Sequence, residues 1–184
     1  MYANSIKVLT VTDQAILVQI KVFTTLSIGV RDPFSKTEVA ALDNFRQILR
    51  CKRSFHGAPR YDWVGVYDLD DEEFESRNGL DKFLIGQLQL LFAIYQDNRQ
   101  YNLAYIEWYD IGDKDHETGM WIVTRSGNYN VVSVEAIVRG IHLQPLFDSI
   151  DVARRTLLKH NNEYSFKQYL VNKYVDRASW EELY

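Results

Sequence analysis

Between Phe83 and Phe147 the apolar positions come in short runs rich in Val, Ile, Tyr and Trp. Polar clusters at Asp97-Asn98, Asp113 to Gly119 and Ser126-Gly127-Asn128 cut these runs. Such punctuation predicts consecutive antiparallel strands joined by tight connections. The expected strands are Tyr101 to Tyr109, Met120 to Arg125, Tyr129 to Val134 and His142 to Phe147, with a single helical turn within Val134 to Gly140. Leu84 to Tyr95 is ambiguous, because Leu84, Leu88, Leu91 and Tyr95 also fall at helical spacing; Gly86 and the polar turn that follows favour a strand. Five or so short, curved strands with a one-turn helix suggest a small barrel, since closure removes exposed edges.

Upstream, Ile6 and Val8 alternate with polar neighbours, as do Val18, Ile20 and Val22. A hairpin turning at Thr12-Asp13-Gln14 is therefore expected, with a break from Gly29 to Phe34. Ser35 to Glu38 fits a capping box, and Val39, Leu42, Phe45 and Leu49 follow at helical spacing, which predicts a helix over 36–50. Gly57 and Pro59 mark 51–59 as a loop, and Arg60 to Tyr67 reads as a strand. Asp68 to Gly79 carries six carboxylates against Arg77 and reads as a solvated loop. It lacks the alternating register of a calcium loop. The tail predicts a helix over Ile150 to Lys159, another capped by Ser165 with Phe166, Tyr169, Leu170 and Tyr174 on one face, and a last turn at Ser179 to Glu182.

A length of 184 residues suits one domain spanning 1–184, with the hairpin and helix at 5–50, a β core at 60–147 and helices at 150–184. Such a chain buries roughly 70% of its unfolded surface without disulfide or metal. A net charge of −4 argues against generic nucleic-acid binding. Local basic groups remain at Arg50, Lys52, Arg53 and Arg60, and at Arg154 and Arg155; they are either a DNA-binding patch or solvated surface. The single cysteine, Cys51, forms no intrachain disulfide. With no basic-then-apolar leader and no apolar run of membrane length, a soluble intracellular protein is expected.

Catalytic chemistry finds little support. The histidines at 56, 116, 142 and 160 lie in separate elements, so no metal site and no cofactor is expected. Cys51 and His56 share a loop without an orienting acid, and glycine-rich phosphate loops are absent. Asp62 and Glu107 sit inside apolar strands and could serve a metal-dependent nuclease, but strand alternation explains both more simply. The aromatics Tyr105, Trp108, Tyr109 and Trp121 fall on adjacent predicted strands. They form either core or a recognition surface for a cationic or proline-rich peptide.

Three segments carry a resemblance. They are Leu49 to Cys51 followed by Ser54 to Asp62, then Ile137 to Leu146, then Asn172 to Asp176. In that order they resemble the C-terminal region of fungal transposon-encoded proteins of the Zisupton-like (Kyakuja–Dileera–Zisupton) kind, over most of 49–176. In such proteins the catalytic core lies upstream, so the resemblance implies a nuclear accessory module that is not an enzyme, and it carries over no functional residue. Val138 to Leu143 after a run of strands also looks like a bromo-adjacent homology barrel, by analogy of fold alone. The expected architecture is α+β: a small antiparallel barrel or curled sheet, SH3-like or BAH-like, with flanking helices. The expected function is binding of protein or chromatin through the barrel rim.

Overall fold

Leu49 and Cys51 turn inward while Ile48 and Lys52 face outward, and this period of two recurs through the chain. Strands accordingly dominate the computed structural model, which describes residues 3–7, 19–29, 46–67, 79–96, 99–146 and 166–175. In chain order they are β1 (Ala3–Lys7), β2 (Gln19–Phe23), β3 (Thr25–Gly29), β4 (Arg46–Phe55), β5 (Ala58–Tyr61) and β6 (Trp63–Val66). The rest are β7 (Leu84–Gln96), β8 (Arg99–Lys114), β9 (Trp121–Ser133), β10 (Ile137–Ile141), β11 (Leu143–Pro145) and β12 (Gln168–Val171). The helical elements among the described residues are two short 3₁₀ turns, Gly79–Lys82 and Val134–Ala136.

Strand β7 is the axis of a nine-stranded antiparallel sheet. One of its edges pairs with β8 from Ile85↔Tyr109 to Gln96↔Arg99. Its other edge is shared, with β6 on Leu84 to Gln87 and β2 on Leu91 to Tyr95. β1 extends β2, β10 extends β6, and β8 leads on to β9, β12 and β11. β10 and β11 thus end the sheet on opposite sides, yet only His142 separates them in the chain. The sheet curls until its ends meet covalently, and it is not a closed barrel.

A second sheet, β3-β4-β5, packs on the first. The chain crosses between the sheets at two corners, Thr24 and Asp62. The Cys51 N–H donates to Thr24 O at 3.0 Å, the Asp62 N–H to Arg50 O at 2.9 Å and the Leu88 N–H to Asp62 O at 3.0 Å. One core fills the space between the sheets, with Leu26, Leu49 and Cys51 against Val64, Leu88 and Ile106. The other lines the inside of the curl, with Ile85, Tyr109, Val123, Ile141, Tyr169 and Val171. Full burial of an aliphatic or aromatic side chain of this size stabilises by about 1.5–3 kcal/mol.

Two irregularities interrupt the long ladders. Gln89 has no partner where Leu88 faces Ile106 and Leu90 faces Tyr105. This bulge lets Leu88 and Leu91 enter the same core three residues apart, which is the origin of the helical spacing in this strand. On β9, residues 126–128 are looped out between the pairs Tyr109↔Arg125 and Glu107↔Tyr129. Gly127 there takes φ +78°, and the Ser126 hydroxyl donates to Trp108 O at 2.8 Å. The predicted turn at Ser126-Gly127-Asn128 is therefore a bulge inside one continuous strand.

The N-terminal strand pairing, the strand at 84–95, the strand at 101–109 and the one-turn helix after Ser133 match the sequence reading. The flanking helices do not. Arg46 to Arg50, expected to end a helix, begin β4, because Leu49 and Cys51 are buried together at strand spacing. The expected loop at 51–59 is the β4–β5 hairpin, turning at His56 and Gly57 with φ of 50° and 87°, the left-handed pair that a two-residue hairpin requires. The helix expected after Ser165 is β12, whose Tyr169, Leu170 and Val171 are all buried, giving a continuous apolar run that mimics a helical face. The structure is thus mostly antiparallel β and not α+β. The turn at 12–14, the helical positions 36–45, the turn at 97–98, the acidic run 68–78, the helix at 150–159 and the turn at 179–182 lie outside the described residues.

Candidate functional site

Beyond the buried inside of the curl, the same face of β7, β8 and β9 continues into the open, and the two bulges meet at this mouth. Glu107, only 4% exposed, stands opposite Gln87 on β7 and Tyr129 on β9. The β7 bulge supplies Gln89, whose Nε2 donates to Glu107 Oε2 at 3.2 Å and to Gln87 Oε1 at 3.1 Å. The Gln87 Nε2 in turn donates to Tyr61 O at 3.2 Å. The β9 bulge brings Arg125 to where residue 127 of a regular ladder would stand. Its Nε lies 3.1 Å from Glu107 Oε1, an ion pair without hydrogen-bond alignment. Burial pulls the Arg125 guanidinium down, but its hydrogen bond to the Tyr109 hydroxyl and the charge of Glu107 hold it above its ordinary value.

Two rings stand over this polar floor. Tyr105 and Tyr129 stack with centroids 5.5 Å apart and planes 20° apart, and both are exposed, at 37% and 48%. Partial burial and a hydrogen bond to Glu107 raise the Tyr129 hydroxyl above its usual value. Leu90 and Val131, each directly across from Tyr105 on the neighbouring strands, extend the exposed rim.

The four aromatics singled out from the sequence do not share one surface. Tyr105 is on the rim. Tyr109, one step deeper on the same face, is 4% exposed and meets Tyr169 edge-on at 5.7 Å. Trp108 points to the opposite face and packs on the core between the sheets, and Trp121 packs on the inner core under the Lys114 ammonium, 4.7 Å from its ring centroid. Tyr129 was missed, because reading Ser126 to Asn128 as a turn severs it from Arg125.

The basic residues behave differently. Arg50, Lys52, Arg53 and Arg60 all lie on the β4–β5 hairpin, with Lys52 directly opposite Arg60. The Arg50 and Arg60 guanidiniums each lie 5.1 Å from the Phe55 ring centroid. Arg154 and Arg155 lie outside the described residues. Below this hairpin, a groove of about 390 Å³ separates the small sheet from the β10–β11 junction, lined by Gln47, Phe55, Arg60, Tyr61, Trp63 and His142. Gly140 lets the two sheets approach here, and its N–H donates to Gln47 Oε1 at 2.7 Å.

Asp62 and Glu107 have separate structural partners. The Asp62 carboxylate accepts the Arg50 N–H at 2.8 Å and the Arg60 Nε at 2.9 Å, which pins the corner between the sheets. Among the described residues no group of three or more His, Cys, Asp or Glu gathers as for a metal ion. Burial pushes the Cys51 thiol up to about 12, against a backbone hydrogen bond to Leu91 and with help from Asp62. Among the described residues no helix is long and apolar enough to cross a membrane. The chain matches no protein-family model, no curated protein and no solved structure.

Proposed function

We propose that this domain is a non-catalytic interaction module of a mobile-element-derived nuclear protein, and that it holds a peptide of a protein or chromatin partner at its rim. The observation that supports this reading is the Tyr105–Tyr129 stack, exposed above the almost fully buried Glu107. Ring faces attract a lysine, methyl-lysine or arginine cation by roughly 0.5–1 kcal/mol at such an exposed site, and the negative floor adds to that preference. Titration of labelled histone-tail peptides, followed by fluorescence anisotropy, tests it. Tyr105→Ala and Tyr129→Ala are each expected to weaken binding about fivefold, in line with cation–π energies, while leaving the fold intact. Equal affinity in wild type and both variants would sink the assignment.

A second reading, direct DNA binding, is favoured by the convergence of Arg50, Lys52, Arg53 and Arg60 on one hairpin. Like charges directly opposite on neighbouring strands, such as Lys52 and Arg60, repel each other, and a polyanion relieves that cost. Binding to duplex DNA that weakens steeply with added salt is the expected result.

A further inference from the structure

The groove under the hairpin differs from the rim in the hydrogen bonds it has left to give. Its carboxylate, Asp62, has one oxygen on the Arg50 N–H and the other on the Arg60 Nε, so it offers little to a cationic ligand. Donors remain. The Gln47 amide is anchored through Oε1 on the Gly140 N–H, which leaves its Nε2 hydrogens for a ligand. Arg60 uses Nε on Asp62, which leaves its terminal nitrogens. His142, at the exposed junction of β10 and β11, adds an imidazole. The walls include the rings of Phe55, Tyr61 and Trp63, and the volume of about 390 Å³ is that of a small-ligand pocket.

A donor-rich, ring-lined groove beside a cluster of cations selects a planar, acceptor-rich anion. We propose that it binds one nucleotide unit, with the base in the groove and the phosphate towards Arg60 and the hairpin cations Arg50, Lys52 and Arg53. This rests on the DNA-binding reading and adds that the preferred form is an unpaired nucleotide, because a base inside a duplex cannot enter a groove of this depth. A free nucleotide and a nucleotide within a single strand share this chemistry. Stacking on aromatic side chains contributes about 1–3 kcal/mol per base and tolerates any sequence, so the preference is for unpaired bases and not for a motif.

The test compares a labelled twelve-nucleotide single strand with the matching duplex at fixed salt, by anisotropy, with adenosine monophosphate as competitor. Two variants address the groove. Gln47→Glu keeps an oxygen for the Gly140 N–H but replaces the donor with a negative charge, and His142→Ala removes an exposed side chain with no core role. The expected result is single-strand binding about tenfold tighter than duplex binding, with each variant weakening the single strand about tenfold, the scale of one stacked base, and leaving the duplex unchanged. Competition by the mononucleotide would assign the groove to free nucleotides; variant sensitivity without competition would assign it to strand segments. Equal affinity for strand and duplex, with both variants silent, overturns the groove while the hairpin reading stands. Failure to bind either nucleic acid overturns both.

Discussion

The rim and the groove are both aromatic, yet they treat charge in opposite ways. At the rim, two bulges bring a carboxylate under two exposed rings, and the nearest cation, Arg125, is already paired with it. At the groove, the carboxylate is consumed in holding a sheet corner, and the cations of the hairpin stand outside. The rim therefore suits a cationic peptide and the groove an anionic, planar ligand. Aromatic residues alone do not decide a ligand; the hydrogen-bonding capacity left beside them does.

The largest expected effect removes both surfaces together. A Cβ on Gly86 would lie 2.1 Å from Ile106 Cγ2 and 3.0 Å from the Trp108 ring, in the middle of the axial strand β7. Gly86→Ala is expected to destabilise by about 3 kcal/mol or more, the upper range for overpacking, read from the urea midpoint. Peptide and nucleotide binding should fall in parallel. Loss of one without the other would show that the surfaces do not depend on a common frame.

Next is a change confined to the rim. Glu107→Gln keeps the shape but leaves Arg125 without its counter-ion. Because the Arg125 side chain is 30% exposed, the cost is expected to be about 2 kcal/mol, below that of a fully buried pair. Nucleotide binding should be unaffected, and peptide binding should drop. An unchanged urea midpoint would mean that the ion pair contributes nothing net.

Much of this frame was legible in the sequence, and what was not has particular causes. The alternation in 101–109 predicted β8 directly, and Ser133 before a short helical turn predicted the start of β10. The helical spacing of Leu88 and Leu91 was real, but a one-residue bulge produced it, and composition cannot reveal an unpaired Gln89. Ser126-Gly127-Asn128 has turn chemistry, and turn chemistry also serves a bulge, so Tyr129 and Arg125 were assigned to different strands. Phe166, Tyr169 and Leu170 looked like a helical face because β12 is buried on both sides, where strands lose their alternation. The basic cluster was found because its members are close in sequence and the hairpin keeps them close. The groove was invisible, since Gln47 and Gly140 meet only in the tertiary structure.

A change confined to the groove complements the rim variant. A Cβ on Gly140 would stand 2.9 Å from Leu49 Cδ2 and 3.3 Å from Gln47 Oε1. Gly140→Ala is expected to cost about 1–2 kcal/mol by pushing β10 away from the small sheet. It should weaken nucleotide binding while leaving the peptide affinity intact. Equal damage to both ligands would mean that the groove and the rim are mechanically coupled.

The smallest effect concerns the floor of the hairpin. The Cys51 thiol, buried behind Arg50 and Lys52, is pushed up to about 12 from 9.0. The folded state then keeps its proton while the unfolded chain releases one. Stability from this group is therefore intact below pH 9 and declines as pH rises from about 9 towards 12. By pH 10 the loss is about 1.4 kcal/mol, one pH unit of linkage. Urea unfolding of wild type and Cys51→Ala at pH 8, 9 and 10 isolates it, because tyrosines and lysines titrate equally in both. A wild-type slope no steeper than that of the variant would place the thiol in contact with solvent, and the hairpin would then be lifted from the core. A steeper slope fixes the hairpin as a rigid platform, so that the cations above Cys51 are presented to a ligand and do not rearrange around it.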